Sequence, residues 1–357
     1  MMERRLTLRL RRVAVGRLRG VGMETVYHKI IITTRPESAS FAMGELQNYD
    51  RGIRPVGDLA VGVKEIYLPG GYGKLLADAP PLIFVRHMFP VQYFAVGEYA
   101  AADILAGVAI PDDGGAFSVQ MRGDTDPGLI RRLENALEER NYVRDDRYPR
   151  WVLSLYAHEG GLYAGASRCG DNRSAWNGGT PRYKRADFIS RAECKLMEAM
   201  ETFGLRPRPH ARALDLGAAP GGWSKVLLEA GFHVTAVDPG ALDKRLAHHP
   251  RLSYVCATAQ RFLAARDKAE IFDAVVNDMK MDMYDSVRVM LDAAPFLAPG
   301  GVAVMTLKLA KGQGLRKINK ALALLEKKYR VGDTRQLFHN RDEVTVLLYR
   351  LSGPAAP

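Results

Sequence analysis

Residues 213–224, ALDLGAAPGGWS, place an apolar strand, a glycine-rich turn and the start of a helix in immediate succession. That order points to an open α/β sheet, in which ligands bind beyond the carboxyl ends of the strands, so the turn is a ligand site. Its glycines are Gly217, Gly221 and Gly222. A dinucleotide fingerprint G-x-G-x-x-G would need glycine at 219; Ala219 stands there, which disfavours a nicotinamide cofactor. The helix read over 221–230 directs its first amides at any anion in the turn.

The following strand ends HVTAVDP, which puts Asp238 where an acid accepts hydrogen bonds from ribose hydroxyls. A ribose acceptor beside a carboxylate site matches the two ends of S-adenosylmethionine, although a purely structural strand-turn-helix explains the same residues. From Asp187 onward strand and helix patterns alternate, as in a doubly wound sheet. A helix is read over 188–204, and strands over 212–216, 233–238, 252–256, 271–277, 301–308, 331–338 and 343–350. Only HNRD joins the last two strands, too short for a parallel crossover, so the final strand is expected to run antiparallel.

Upstream the pattern breaks into smaller pieces. HKIIITT reads as a strand, Glu37 to Gln47 as a helix, Val63 to Leu68 as a strand before the turn PGGYG, and 84–94 as a linker. A second unit has strands at 116–123, 151–157 and 161–167 around a helix from Pro127 to Asn141. The expected division is an extension over 1–22, a small α/β, ferredoxin-like unit with linker over 23–95, a second unit over 96–180 and the sheet domain over 181–357.

The formal net charge is +11, and seven arginines against Glu3 place +6 of it in residues 1–22. The body is therefore only mildly basic. The extension lacks the apolar core of a signal peptide or a membrane span. It reads as a disordered tail or a start codon assigned too far upstream, because Met23 stands just before a clean strand. Cys169, Cys194 and Cys256 lie far apart with no C-x-x-C spacing, and the pair His248 and His249 has no partners at ligand spacing. Neither a disulfide framework nor a metal is expected, and a reducing cytoplasm fits. The linker 169–184, with Arg173, Trp176, Arg182 and Lys184, reads equally as an RNA-contacting loop and as an interdomain spacer. Arg316, Lys317, Lys320, Lys327 and Lys328, on a helix over 313–329, form a phosphate track or simply a solvated face.

The run DLGAAPGGWS, Asp215 to Ser224, resembles the cofactor loop of the FtsJ-like RNA ribose methyltransferases. That resemblance implies a Rossmann-like S-adenosylmethionine domain, a parallel sheet with an antiparallel last strand, preceded by small α/β RNA-binding units. It also implies a Lys-Asp-Lys-Glu tetrad. SRAECKL supplies Lys195, VVNDMKMD supplies Asp278, MTLKL supplies Lys308 and HNRDEVTV supplies Glu343. NRSAWNGGTPRYK (172–184) and LFHNRDEVTV (337–346) narrow the likeness to bacterial enzymes that methylate a cytidine ribose of large-subunit ribosomal RNA and carry a THUMP-like N-terminal region.

The cofactor contacts so implied are Ser190, Asp215, Gly217, Ala219, Pro220, Gly221, Gly222, Trp223, Asp238, Thr258 and Asp278. Thr258 departs from the pattern, standing where an acid often meets the adenine. Lys308 is the implied proton acceptor, with Asp278 and Lys195 positioning the 2′-hydroxyl and Glu343 holding Lys308. The expectation is a cytoplasmic, metal-free enzyme acting on ribosomal RNA before subunit assembly is complete, with a monomer favoured and the oligomeric state left open. Alternatives are a transfer-RNA substrate, an RNA-binding protein with an inactive methyltransferase domain, or a dehydrogenase.

Overall fold

A computed structural model describes residues 27–111, 114–183, 186–266, 270–310 and 314–351. The arginine-rich extension and Lys184 lie outside them. The run of isoleucines at 30–32 is fully buried in strand β1 (Lys29–Thr33), the centre of a first sheet. Helix α1 (Ala39–Tyr49), strands β2 (Arg54–Ala60) and β3 (Val63–Tyr67), helix α2 (Gly71–Asp78) and strand β4 (His87–Pro90) complete the unit. The sheet order is β2-β3-β1-β4, with every pair antiparallel.

The expected linker over 84–94 is a correction. Its residues form β4 and the next strand, β5 (Tyr93–Val96), because Phe89 pairs with Ile31 and Tyr93 with Ala164. Strand β5 opens the second unit, with helix α3 (Ala101–Gly107), strand β6 (Gly115–Gly123), helix α4 (Pro127–Glu138) and strands β7 (Tyr142–Arg144), β8 (Trp151–His158) and β9 (Gly161–Arg168). Asp126 starts α4 by accepting the Gly128 N–H at 2.8 Å, an N-cap followed by Pro127 at the first helical position.

The third unit begins at helix α5 (Ala192–Thr202), four residues later than the sequence pattern suggests. Glu193 accepts the backbone N–H groups of Ile189 and Ser190, which holds those residues outside the helix. There follow strand β10 (Arg212–Leu216), helix α6 (Gly222–Glu229), strands β11 (His233–Val237) and β12 (Leu252–Val255), helix α7 (Ala259–Ala265), strand β13 (Phe272–Asn277), helix α8 (Met283–Ala293), strand β14 (Leu297–Lys308), helix α9 (Leu315–Leu325) and strands β15 (Tyr329–Arg335) and β16 (Glu343–Arg350). The seven strands lie in the order β12-β11-β10-β13-β14-β16-β15. The first five are parallel neighbours, and β16 enters antiparallel between β14 and β15.

Strands covered on both faces are mostly apolar, which is why β10, β11 and β13 are rich in Ala, Val and Leu. One face packs on α7, α8 and α9, the other on α5 and α6. The first unit shares the former core, where Ile30, Leu46 and Phe84 join a cluster containing Leu307 and Val344. Buried Glu45 fixes the crossing segment by accepting the N–H groups of Ile83, Phe84 and Val85 at 2.7, 3.0 and 3.2 Å. The same segment reaches the closing hairpin: Gln336 N–H donates to the Ile83 carbonyl at 2.7 Å, and Arg86 donates to the carbonyls of Gln336 and Leu337. Among the described residues no helix is long and apolar enough to cross a membrane.

Candidate functional site

Two parallel strands, one antiparallel strand and one helix deliver a charge each to the same edge of the large sheet. Asp278 follows the last residue of β13, Lys308 closes β14, Glu343 opens β16, and Lys195 lies in the first turn of α5. Because β16 runs against β14, its start meets the other strand's end, and Glu343 is the register partner of Lys308. The four side chains close a ring of alternating sign. Lys195 Nζ is 3.1 Å from Asp278 Oδ2 and 2.7 Å from Glu343 Oε1. Lys308 Nζ donates to Asp278 Oδ1 and to Glu343 Oε2, both at 2.6 Å.

The ring is mostly out of solvent, with side-chain exposures of 14% for Lys195, 13% for Asp278, 20% for Lys308 and 6% for Glu343. Burial alone would raise the Asp278 carboxyl, but the adjacent ammonium groups of Lys308 and Lys195 overcome it and hold the group below the ordinary carboxylate range. Burial would likewise lower Lys308, yet Asp278 and Glu343 outweigh it and keep the ammonium above the usual lysine value. Lys308 is therefore protonated in the free protein. Glu343 spans both lysines, its Oε1 paired with Lys195 and its Oε2 with Lys308.

A residue that the sequence pattern did not single out belongs to the same group. Thr306, fully buried, donates its hydroxyl to Asp278 Oδ1 at 2.7 Å. Its only signal is its place two residues before Lys308 on the same face of a strand. Beyond Asp278 the chain is held by buried Asn277, which accepts the Met279 N–H at 3.0 Å and donates to Ser286.

The glycine turn lies beside this ring, after β10. At Gly217 φ is +76°, and a Cβ would come within 2.1 Å of the Met279 side chain, so only glycine fits without displacement. A Cβ on Gly222 would stand 2.3 Å from Ser190 Oγ. That hydroxyl is itself buried without a hydrogen-bond partner. An orphaned hydroxyl, a turn that must stay bare and the first amides of α6 fit the carboxylate end of S-adenosylmethionine.

Asp238 follows the last residue of β11 and braces the turn, accepting the N–H of Ala219 at 3.1 Å and of Gly240 at 2.6 Å. Pro220 and Gly221 carry the chain from there into α6. The side chains of three expected contacts have partners within the protein. Asp215 is 1% exposed and accepts the Ser224 hydroxyl at 2.6 Å, so it pins α6 to β10 beneath the turn. Burial, reinforced by Asp278 and Asp238, pushes its carboxyl up to about 7. Trp223 is buried in the core between α5 and α6, its indole N–H donated to the Ala192 carbonyl at 2.8 Å. Thr258 is the N-cap of α7, its hydroxyl oxygen accepting the Arg261 N–H at 3.2 Å.

The loop at 169–183 behaves as an interdomain anchor at Arg173, which donates to the carbonyls of Val85 and Leu82. Arg182 is exposed. On α9, Lys317 and Lys320 are exposed, whereas Ile318 and Ala321 are buried.

Residues 188–334 match the family described as FtsJ-like methyltransferase. That stretch contains Lys195, Asp278, Lys308 and the glycine turn, and stops before Glu343. Over 293 residues the chain is 30% identical to the ribosomal RNA large subunit methyltransferase M of Halorhodospira halophila, covering 78% of this chain and 84% of that protein. With the protein of the same name from Alkalilimnicola ehrlichii it shares 31% over 317 residues, covering 80% and 82%. At 293 and 317 residues both matches are longer than the sheet domain. S-adenosylmethionine is accordingly the methyl donor, and the chain belongs to the ribosomal RNA large subunit methyltransferase M family of FtsJ-like methyltransferases.

Proposed function

We infer that the protein methylates a ribose 2′-hydroxyl of large-subunit ribosomal RNA, on a cytidine, with Lys308 as the general base. The observation that carries this reading is the closed ring of Lys195, Asp278, Lys308 and Glu343 beside the glycine turn. The cofactor supplies an electrophilic methyl on a positively charged sulfur. The chain must align a hydroxyl with that methyl and receive its proton. To act as base Lys308 must first give up its own proton to solvent, a loss that the positive sulfur of the cofactor would favour by opposing the ammonium; the neutral amine could then accept the 2′-hydroxyl proton as the oxygen takes the methyl and the thioether leaves. Asp278 and Lys195 then position the hydroxyl while Glu343 holds Lys308.

A ring this deeply set is reached by an unpaired, extruded nucleotide more readily than by a duplex. That favours RNA in the cytoplasm before subunit assembly is complete. The ferredoxin-like unit over 23–95 and a THUMP-like unit over 96–180 would hold the RNA, since the first abuts the closing hairpin that carries Glu343. The test is transfer of tritiated methyl to large-subunit ribosomal RNA. Lys308→Ala should lower the rate at least about a hundredfold, the lower range of general-base contributions, with cofactor affinity kept. Turnover near wild type in that variant refutes the assignment.

A further inference from the structure

The loop joining β15 to β16 presents an aromatic ring that the transfer chemistry does not use. Phe338 is 36% exposed, yet its main chain is fixed, its N–H donated to Glu198 Oε1 at 2.7 Å. Glu198 Oε2 accepts the next N–H, that of His339, at 2.9 Å and lies 2.8 Å from His339 Nδ1. Three residues along α5, Glu201 accepts the indole N–H of Trp176 and the hydroxyl of Tyr183, each at 2.7 Å. Tyr183 stacks on His339 at 5.3 Å, and His339 meets Phe338 edge to face at 5.1 Å. The guanidinium of Arg86, held by the carbonyls of Gln336 and Leu337, lies 5.6 Å from the Phe338 ring centre.

Two glutamates thus fix a strip of rings that starts one helical turn from Lys195 and ends five residues before Glu343. Securing a tight loop explains the bonds of Glu198 to the main chain. It does not explain a large aromatic side chain left about one-third exposed beside an arginine. Stacking on a nucleobase does, because every base has a π-face, and an aromatic ring flanked by positive charge is the usual platform for unpaired RNA. Arg182 and Arg341, both exposed, add charge complementary to phosphates on the loops that carry the strip.

The geometry points to Phe338 as a stacking platform for an unpaired nucleobase of the RNA substrate, adjacent to the nucleotide whose ribose enters the ring. This rests on the reading of the substrate as RNA. The full chain and its Phe338→Ala and Phe338→Trp variants are compared for binding of a short single-stranded RNA and of its abasic counterpart, for cofactor affinity, and for methyl transfer to a large-subunit ribosomal RNA transcript. Phe338→Ala should weaken binding of the base-bearing RNA about tenfold and raise KM for the transcript, leaving kcat and cofactor affinity unchanged. Phe338→Trp should restore binding, and the abasic RNA should not distinguish wild type from Phe338→Ala. Equal affinities of wild type and Phe338→Ala for the base-bearing RNA, as expected if the ring instead covers a protein partner, overturn the proposal. So does a loss that Trp fails to restore. If the wild type transfers no methyl to RNA, the proposed function falls, and the binding comparison still decides the platform.

Discussion

Thr306 shows how much a single hydroxyl can contribute at a charged site. Asp278 Oδ1 is shared by Lys308 at 2.6 Å and Thr306 at 2.7 Å, which fixes the plane of the carboxylate. Replacing Thr306 by valine keeps the shape and removes one donor to a charged acceptor, a loss of about 1.5–3 kcal/mol. We expect methyl transfer to fall roughly tenfold or more by that magnitude and cofactor binding to stay; kinetics equal to wild type would show the hydroxyl to be idle. Asp215 acts on stability instead. Its carboxyl is raised in the folded protein to about 7 by burial, so it binds a proton more tightly folded than unfolded. The stability it contributes is present below the unfolded carboxylate value near about 4 and is lost as pH rises through about 7. Thermal unfolding followed across that window should show a decline that Asp215→Asn flattens, and an identical pH dependence in the variant would contradict it.

At the scale of elements, the site depends on where β16 inserts. Glu343 meets Lys308 through strand register, and a slip of one residue would turn Glu343 to the opposite face. The register is set in the loop before it, where buried Asn340 accepts the Leu337 N–H at 2.8 Å and the Thr345 hydroxyl at 3.0 Å. Asn340→Ala strands both donors, at a cost of about 1–3 kcal/mol for each left unsatisfied. It should depress both the melting temperature and the transfer rate; a normal rate in a destabilised variant would separate the loop from the site.

Much of this arrangement was legible beforehand. The connection, read as HNRD and running over 336–342 once β15 ends at Arg335 rather than 338, is too short for a parallel crossover and required an antiparallel hairpin, and β10 and β16 fall on the residues read as strands. The motifs around Lys195, Asp278, Lys308 and Glu343 named the ring. Other parts were not legible, for physical reasons. Strand β2, RPVGDLA, is mostly exposed and carries Pro and Gly, so no periodicity marks it, and only pairing with β3 makes it a strand. The later start of α5 depends on Glu193 reaching back to two amides. The inward turn of Asp215 and Trp223 depends on partners supplied by Ser224 and Ala192, which spacing along the chain does not reveal.

Across the whole molecule, the first unit, the linker and the large sheet converge on one segment. Residues 82–86 are held by Glu45 from the first unit and by Arg173 from the linker, and they in turn hold the closing hairpin through Gln336 and Leu337. The surfaces meant to grip RNA are thereby tied to the residues meant to react with it. The ring itself behaves differently from those surfaces. Two positive and two negative charges at hydrogen-bond range have no net charge, so their field cancels a few ångströms away. The ring is nearly invisible to an approaching polyanion, and polyanions and salt are nearly invisible to it. Raising ionic strength should therefore increase KM for RNA steeply, through the arginines and lysines outside, and leave kcat almost flat. A kcat that falls in parallel with affinity would mean that the chemical step, too, leans on long-range charge.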